Sequence, residues 1–310
     1  MDSWYKELVS VAGNQCVSRE EDMSRHTSFR AGGRAKYFVL PSDKEMVAAL
    51  IRLHSEHQMP YYIMGNGSNL LVADSGYDGT IIKIGSGMDR VSVNGQSVYA
   101  ESGAMMAKAA LLAARHSLSG MEFAAGIPGS IGGAAAMNAG AYGGEIKDIF
   151  MEAEAADRWG NIVVLKKEDM GFGYRTSIIQ SGEYTVLSVI FGLNPGNAEE
   201  ISGKMNEYMM ARKEKQPLEY PSAGSTFKRP QGHFAGKLIM DAGLAGYSVG
   251  GACVSEKHCG FVINKSGATA EDILTLMEDV RKTVYEKFGV ILEPEVKIIG
   301  NRSWRQLCDL

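Results

Sequence analysis

Gly126-Ile127-Pro128-Gly129-Ser130-Ile131-Gly132-Gly133, continued through Ala134 to Asn138-Ala139-Gly140-Ala141-Tyr142-Gly143-Gly144, is the stretch whose reading decides the rest of the chain. It has almost no side chain to bury, so it is a poor core element. What it offers is bare backbone, since glycine permits φ > 0 and lets main-chain N–H groups converge on an anion. Pro128 stiffens the turn. Ser130 is placed to cap a short helix of small residues, whose N-terminus adds a positive dipole end. Neither the Gly-Lys-Ser/Thr of a Walker A loop nor a G-x-G-x-x-G after a strand is present, which excludes the two commonest phosphate motifs. Taken alone, the stretch fits a close-packed glycine turn as well as it fits an anion cradle.

A second loop favours the cradle. Gly65-Asn66-Gly67-Ser68-Asn69-Leu70 follows the strand pattern Tyr61-Tyr62-Ile63-Met64, at the carboxyl end where open α/β sheets place ligands. Asn66, Ser68 and Asn69 add side-chain donors that a plain turn does not need. Two such loops about sixty residues apart suit a ligand with two linked phosphates held between subdomains. A dinucleotide without a Rossmann fingerprint points to FAD in another fold.

Composition is consistent with this. The chain has 310 residues, 45% hydrophobic and 22% charged, enough for two or three domains. A formal net charge of −4 argues against a nucleic-acid partner. The start of the chain carries charge and lacks a signal-peptide apolar region, and no run reaches transmembrane length. Cys16, Cys253, Cys259 and Cys308 lack C-x-x-C spacing, so a cytoplasmic protein with reduced thiols and no metal is expected. Cations gather late, at Arg212, Lys213, Lys215, Lys228 and Arg229, either as a solvated face or as a site for an anionic ligand.

Around the two loops the pattern predicts a polar helical lead-in over 1–22 and a strand over 36–40. A helix from a Ser42-x-x-Glu45 capping box to about His57 follows, with His54 and His57 as surface residues. A helix over 103–116, a hairpin over 152–157 and 162–165, a strand over 185–193 and a helix from Asn197 through Met210 come next. The last third predicts a helix over 234–243, strands over 249–254, 260–264 and 291–299, and a long amphipathic helix from Thr269 to Phe288. Its buried stripe is Ile273, Leu276, Met277, Val280 and Val284.

Three polar residues are candidates for chemistry. Ser225 has no G-x-S-x-G elbow, which disfavours a hydrolase nucleophile, but a held hydroxyl can protonate a carbanion. Glu295 is a charge among Val296, Ile298 and Ile299, and Arg175 offers a fixed cation for a carboxylate or enolate. By themselves these also fit a turn serine, an edge glutamate and a salt-bridged arginine within a buried Tyr-Arg pair.

The segment G-I-P-G-S-I-G-G-A-A-x-M-N-A-G-A-Y-G resembles the flavin-binding segment of the UDP-N-acetylenolpyruvoylglucosamine reductases, FAD enzymes of peptidoglycan precursor synthesis. The likeness extends over most of the chain. It implies an α+β protein: a two-subdomain FAD-binding fold of the vanillyl-alcohol oxidase type, followed by a smaller α+β substrate-binding domain. The expected organisation is a lead-in at 1–22 and an FAD-binding domain at 23–211, with subdomains of about 23–93 and 94–211. A substrate domain at 212–300 and a tail at 301–310 complete it.

The resemblance further implies FAD contacts at Gly65, Asn66, Gly67, Ser68, Asn69, Leu70, Gly126, Ile127, Pro128, Gly129, Ser130, Gly133, Asn138, Gly140 and Ala141. Neither loop holds a His or Cys, so non-covalent FAD is expected, with NADPH as hydride donor. The motifs F-G-Y-R-T-S, A-G-S-T-F-K and E-P-E-V-K-I-I-G imply Arg175, a proton-donor Ser225 and Glu295 as catalytic residues. Tyr174, Lys215, Lys228 and Arg229 are the implied contacts to a nucleotide-sugar substrate. Where the family often has Asn-Pro, this chain has Arg229-Pro230, a cation suited to a diphosphate. The short stretch between hairpin and boundary resembles the compact branch of the family, and a monomer is expected. The alternatives are another FAD oxidoreductase of the same fold, such as an alcohol or sugar oxidase, and a non-catalytic flavin-binding protein.

Overall fold

The computed structural model describes residues 2–300, so the expected tail at 301–310, with Cys308, lies outside the described residues. The chain forms two units, and neither is one continuous stretch. The first comprises the residues up to Ser18, Tyr37–Asn66 and Gly79–Arg212; the second comprises Arg19–Lys36, Gly67–Asp78 and the residues from Lys213 on. This differs from the contiguous segments 23–211 and 212–300. The reason is packing: Phe29, Ala31 and Leu71 belong to the same core as Val254, Met277 and Val284.

In the first unit a five-stranded antiparallel sheet has the order Ile162–Lys166, Phe150–Asp157, Tyr184–Gly192, Ser97–Glu101, Val91–Asn94. Helix Met106–Arg115 buries Met106, Ala109, Ala110 and Ala113 in one core with Ile131 and Ala135 of the short helix Ile131–Ala136. That short helix is capped as expected, with Ser130 Oγ accepting from Gly133 N–H. A second, four-stranded sheet has the order Val17–Asp22, Arg34–Val39, Tyr77–Lys83, Tyr61–Met64. Tyr61–Met64 runs parallel to Tyr77–Lys83, which delivers its carboxyl end to Gly65.

Several local expectations are corrected. The lead-in is α-helical over Ser3–Ala12 with a short 3-10 turn at Asn14–Cys16, and Val17–Asp22 is an edge strand whose charged Ser-Arg-Glu-Glu-Asp run masks its period. Helix Lys44–His57 is capped by Asp43, which accepts from Met46 N–H, because Ser42 Oγ donates to Asp43 instead of capping. His54 is buried, not at the surface: its ring packs edge-on to Trp4 at 5.0 Å and its Nδ1 lies 2.7 Å from Leu50 O. Helix Ala198–Lys215 runs about a turn beyond its expected end.

In the second unit the strand expected over 249–254 breaks at Gly250-Gly251 into a hairpin. Ser248–Val249 pairs with Ala252–Val254, which pairs with Val262–Asn264. Helix Ala270–Phe288 is capped by Thr269 with Asp272, and its five-residue stripe is fully buried, at about 1.5–3 kcal/mol per large side chain. The strand expected over 291–299 shrinks to Lys297–Ile299, parallel to Leu70–Val72, and the backbone around Pro294 forms only an isolated antiparallel bridge to Phe227. Glu295 therefore stands just before the strand, not within it.

Candidate active site

The two glycine loops meet. Asn66 Nδ2 donates to Pro128 O at 2.7 Å, and a Cβ placed on Gly65 would stand 2.1 Å from Ser130 Oγ. Met106 N–H donates to Gly129 O and Gly132 N–H to Ser102 O, which lays the segment along residues 102–106.

The glycines then separate by role. A Cβ at Gly132 would meet Ser102 Cβ at 2.9 Å, at Gly140 it would meet Gly144 O at 2.6 Å, and at Gly144 the Phe123 ring at 2.6 Å. Those three are needed for close packing. Gly133 is exposed, and its nearest neighbour, Ser130 Oγ, is 3.4 Å away. A bare, exposed Cα beside two joined loops fits a backbone cradle for a diphosphate. The residues present therefore fit FAD. Between these anchors Pro128 is exposed and Ile127 and Gly129 are partly so, and Ala141 follows Gly140.

Arg175 belongs to the same unit. Gly173 and Thr176 exchange backbone hydrogen bonds across Tyr174-Arg175, and Arg175 takes a left-handed φ of 55°. The turn is braced on the glycine segment: Asn138 Nδ2 donates to Gly173 O, Ser177 Oγ and Gln180 Nε2 to Ala136 O, and Gln180 Nε2 also to Arg175 O at 2.7 Å. Arg175 Nη2 reaches Gly140 O at 3.4 Å, and its guanidinium lies 5.4 Å from the Tyr174 ring centroid. Tyr174 is 51% exposed, so the pair is not buried as expected. Asn138 is itself buried and also bonds Glu145 and Lys147 N–H. Glu145's carboxyl is held below its usual range first by Lys147, then by Asn138, with Arg175 contributing. Gln180 was missed from the sequence, where a glutamine five residues past an arginine carries no signal.

The second unit brings Ser225 and Glu295 onto neighbouring backbones. Ser225 is exposed between Gly224, at φ 78°, and Thr226, whose hydroxyl is buried and accepts from Val262 N–H. Glu295 N–H donates to Thr226 O at 2.8 Å and Lys228 N–H to Glu293 O at 2.8 Å. Asn69 Nδ2 donates to Glu295 O at 3.0 Å, so the end of the first glycine loop is tied to the same place. On its other side Ser28 N–H donates to Gly67 O, and Leu70 begins the strand that pairs with Lys297. Ser68 lies between these anchors, partly exposed. Lys228 Nζ lies 3.1 Å from Glu293, and Arg229 lies over the Phe234 ring at 3.9 Å. Burial, then the neighbouring Lys228, lowers the pKa of Lys297. Lys215 is exposed at the end of helix Ala198–Lys215.

The chain is an FAD-binding oxidoreductase of the vanillyl-alcohol oxidase fold type. A family model described as an FAD binding domain matches residues 35–166, and one described as the UDP-N-acetylenolpyruvoylglucosamine reductase C-terminal domain matches 216–299. The chain is 52% identical over 301 residues to the UDP-N-acetylenolpyruvoylglucosamine reductase of Lachnoclostridium phytofermentans, covering 96% of this chain and 97% of that one. It is 49% identical to the protein of that name from Geobacillus kaustophilus, with the same coverage. The crystal structure of the Thermus caldophilus reductase matches with a TM-score of 0.79 at 34% identity, over 90% of this chain and 97% of that one. A glucose dehydrogenase, Phl p 4.0202, shares the fold alone, with a TM-score of 0.51 at 14% identity over 64% of this chain and 45% of that one. The chain belongs to the UDP-N-acetylenolpyruvoylglucosamine reductase family. Among the described residues no helix is long and apolar enough to cross a membrane.

Proposed function

We propose that this chain reduces the enolpyruvyl group of UDP-N-acetylglucosamine enolpyruvate to give UDP-N-acetylmuramate, a peptidoglycan precursor, and that Arg175, Ser225 and Glu295 act on the reacting group. The observation that carries the assignment of roles is the bond from Glu295 N–H to Thr226 O, which sets a carboxyl and an exposed hydroxyl on adjacent backbones. Gly65–Leu70 and Gly126–Gly133, with Asn138, Gly140 and Ala141, hold FAD without a covalent link. When bound, FAD recharged by NADPH would supply a hydride for the terminal methylene carbon of the enolpyruvyl group.

The residues do the rest. Lys215, Lys228 and Arg229 neutralise the nucleotide diphosphate, and Tyr174 packs beside the sugar end. Hydride addition leaves negative charge on the carbon that bears the carboxylate, and that charge spreads into the carboxylate oxygens. Arg175 binds those oxygens more tightly as their charge grows, and a protonated Glu295 donates a hydrogen bond to them. Ser225 Oγ–H then gives its proton to the same carbon and recovers one from solvent, so that a hydride and a proton have added across the double bond. The enzyme works in the cytoplasm as a monomer.

The test is the spectrum of purified protein, followed by anaerobic reduction with NADPH and reoxidation by the enolpyruvyl substrate. The protein should be yellow, should release its FAD on acid denaturation, and should be reoxidised by substrate without oxygen. Flavin left in the precipitate would end the non-covalent assignment. Reduced flavin that ignores the substrate and reacts only with oxygen would make the chain an oxidase.

A further inference from the structure

His54 is buried in the last turn of helix Lys44–His57, under the first helix, Ser3–Ala12. Its Nδ1 lies 2.7 Å from Leu50 O, which can only accept, so the ring's proton sits there and Nε2 carries a lone pair. That Nε2 is buried and has no hydrogen-bond partner among the described residues. A second proton would put an N–H there without an acceptor, a costly state in a site closed to water. Burial holds His54 below the ordinary histidine pKa against the pull of the Leu50 carbonyl, and His57 adds to the lowering. The helix's own carboxyl end, which favours a cation, is outweighed as well. The neighbouring groups supply no counter-charge. Glu7, on the first helix, is engaged by His57 Nε2 at 3.1 Å. The Tyr61 ring lies 5.1 Å away, and burial, then Glu183, pushes its phenol up. Glu183 itself is bonded to Arg158. Asp2 accepts from Trp4 N–H and from the Tyr37 hydroxyl. The core around Trp4 otherwise holds the Tyr5 and Tyr37 phenols and the Cys16 thiol, groups without charge below neutral pH.

What covers His54 is one short helix. Trp4 packs edge-on to His54 at 5.0 Å and lies 5.5 Å from His57, so a single indole spans both histidines. The helix is tied down by buried Trp4, Leu8 and Ala12, by Trp4 Nε1 on Thr80 Oγ1 at 3.4 Å, by the Asp2–Tyr37 bond and by the Glu7–His57 pair. Gly13, at φ 80°, ends it in a conformation that favours glycine and gives the chain a pivot. Turning out at Gly13 would open His54 to water while strand Tyr61–Met64 kept its ladder with Tyr77–Lys83. Acid acts on two of these ties in opposite senses. A protonated His57 attracts Glu7 more strongly, but both side chains are half-exposed and such a pair is worth little. A protonated His54 lacks an acceptor while the helix is docked and gains water once it leaves.

We propose that helix Ser3–Ala12 is an acid-sensitive latch: a proton taken up by His54 releases it from helix Lys44–His57, with Gly13 as the pivot. The released state takes the proton at about pH 6.5, the ordinary histidine value, and the docked state only at lower pH. Docking is therefore intact above about pH 6.5 and weakens as pH falls below it. The test is amide hydrogen exchange of the full-length, FAD-bound protein at about pH 7.5, 6.5 and 5.5, read by mass spectrometry and corrected for the intrinsic pH dependence of exchange. Between about pH 6.5 and 5.5 the protection of residues 3–12 should fall roughly three- to sixfold. Protection of residues 270–288, which report opening of the second unit, should stay level. His54→Leu should flatten the response, and His57→Asn should keep it. Unchanged protection of residues 3–12 in acid would overturn the proposal. Rising protection would overturn it too, and would mean that the Trp4 ring holds the cation. An equal fall in residues 270–288 would replace the latch with global unfolding. The wild-type profile alone decides these outcomes, whatever the variants do to folding. A response that survives His54→Leu, or that vanishes in His57→Asn, would also overturn the assignment.

Discussion

Replacing Gly133 with alanine distinguishes a glycine kept for a ligand from a glycine kept for packing. The new methyl would find its nearest protein atom, Ser130 Oγ, at 3.4 Å, close to ordinary contact. Because Gly133 lies within helix Ile131–Ala136, alanine should also favour the helix by up to about 1 kcal/mol. Apo-protein stability should therefore be unchanged or slightly raised. FAD should lose more. A methyl on the exposed face holds a phosphate oxygen off the loop backbone, and losing one charge-assisted hydrogen bond costs about 1.5–3 kcal/mol, or roughly 10- to 150-fold in Kd. Gly65→Ala is the contrast: its Cβ would fall 2.1 Å from Ser130 Oγ, so apo stability and FAD affinity should drop together. The assay is FAD titration of apo-protein by flavin fluorescence, paired with thermal melting of the same samples. Wild-type FAD affinity in Gly133→Ala would refute the reasoning and put the phosphates elsewhere. A lowered apo melting temperature in that variant would return Gly133 to the packing class.

Ser225→Ala should let NADPH bleach the flavin at nearly the wild-type rate while slowing reoxidation by substrate about 10²–10⁴-fold, the usual worth of positioned acid catalysis; equal impairment of both half-reactions in stopped flow would make Ser225 structural. Arg175→Gly should remove left-handed strain of about 1–2 kcal/mol against a glycine entropy cost of about 0.5–1. Melting should thus hold or rise while substrate reoxidation falls at least 100-fold, and a clear loss of stability would contradict the strain argument. His54 is held below its ordinary pKa by burial, which outweighs its bond to Leu50 O, with His57 adding to the lowering. The unfolded chain therefore binds that proton more readily, so this part of the stability is intact above about pH 6.5 and is lost as pH falls below it toward the folded value. Urea unfolding at two pH values should show a smaller acid loss in His54→Leu than in wild type, and identical slopes would refute the assignment.

How much was legible depended on whether a feature is local. Helix Ala270–Phe288 carries its period and its cap within its own residues, and it stands where expected. The cap at Ser130 and the hairpin Phe150–Asp157 with Ile162–Lys166 are also local patterns. What failed is set by distant partners. Residues 17–22 become a strand through neighbours that their charges do not announce, and His54 is buried by Trp4, fifty residues away in sequence. Lys297–Ile299 pairs with Leu70–Val72, whereas Pro294 before it makes only an isolated bridge to Phe227, a partner almost seventy residues away in sequence. In the candidate site the motif residues could be named from their neighbours in sequence. The braces that hold them, such as Gln180 on Arg175 O, are contacts of the folded turn with no sequence mark.

Among the described residues seven other than glycine have positive φ, and three of them, Asn138, Tyr142 and Arg175, share one patch of the first unit. Each such conformation costs roughly 1–3 kcal/mol and survives only where its surroundings over-determine it. Asn138 is the cheapest, since asparagine tolerates the left-handed region and its amide finds partners on Glu145 and Gly173. Tyr142 is the most expensive, and its compensation is visible: its ring lies on Tyr208 and its hydroxyl donates to Tyr208 O at 2.9 Å. Arg175 is held by Gln180 and by the closed turn of Gly173 and Thr176. The strain is thus gathered around Arg175, whose guanidinium the proposed chemistry needs in a fixed position. The cost is borne by the packed core beneath, where Ile131, Ala135, Phe150 and Phe191 are buried. Loosening one of these braces should therefore be felt first at a guanidinium, and only later in the stability of the fold.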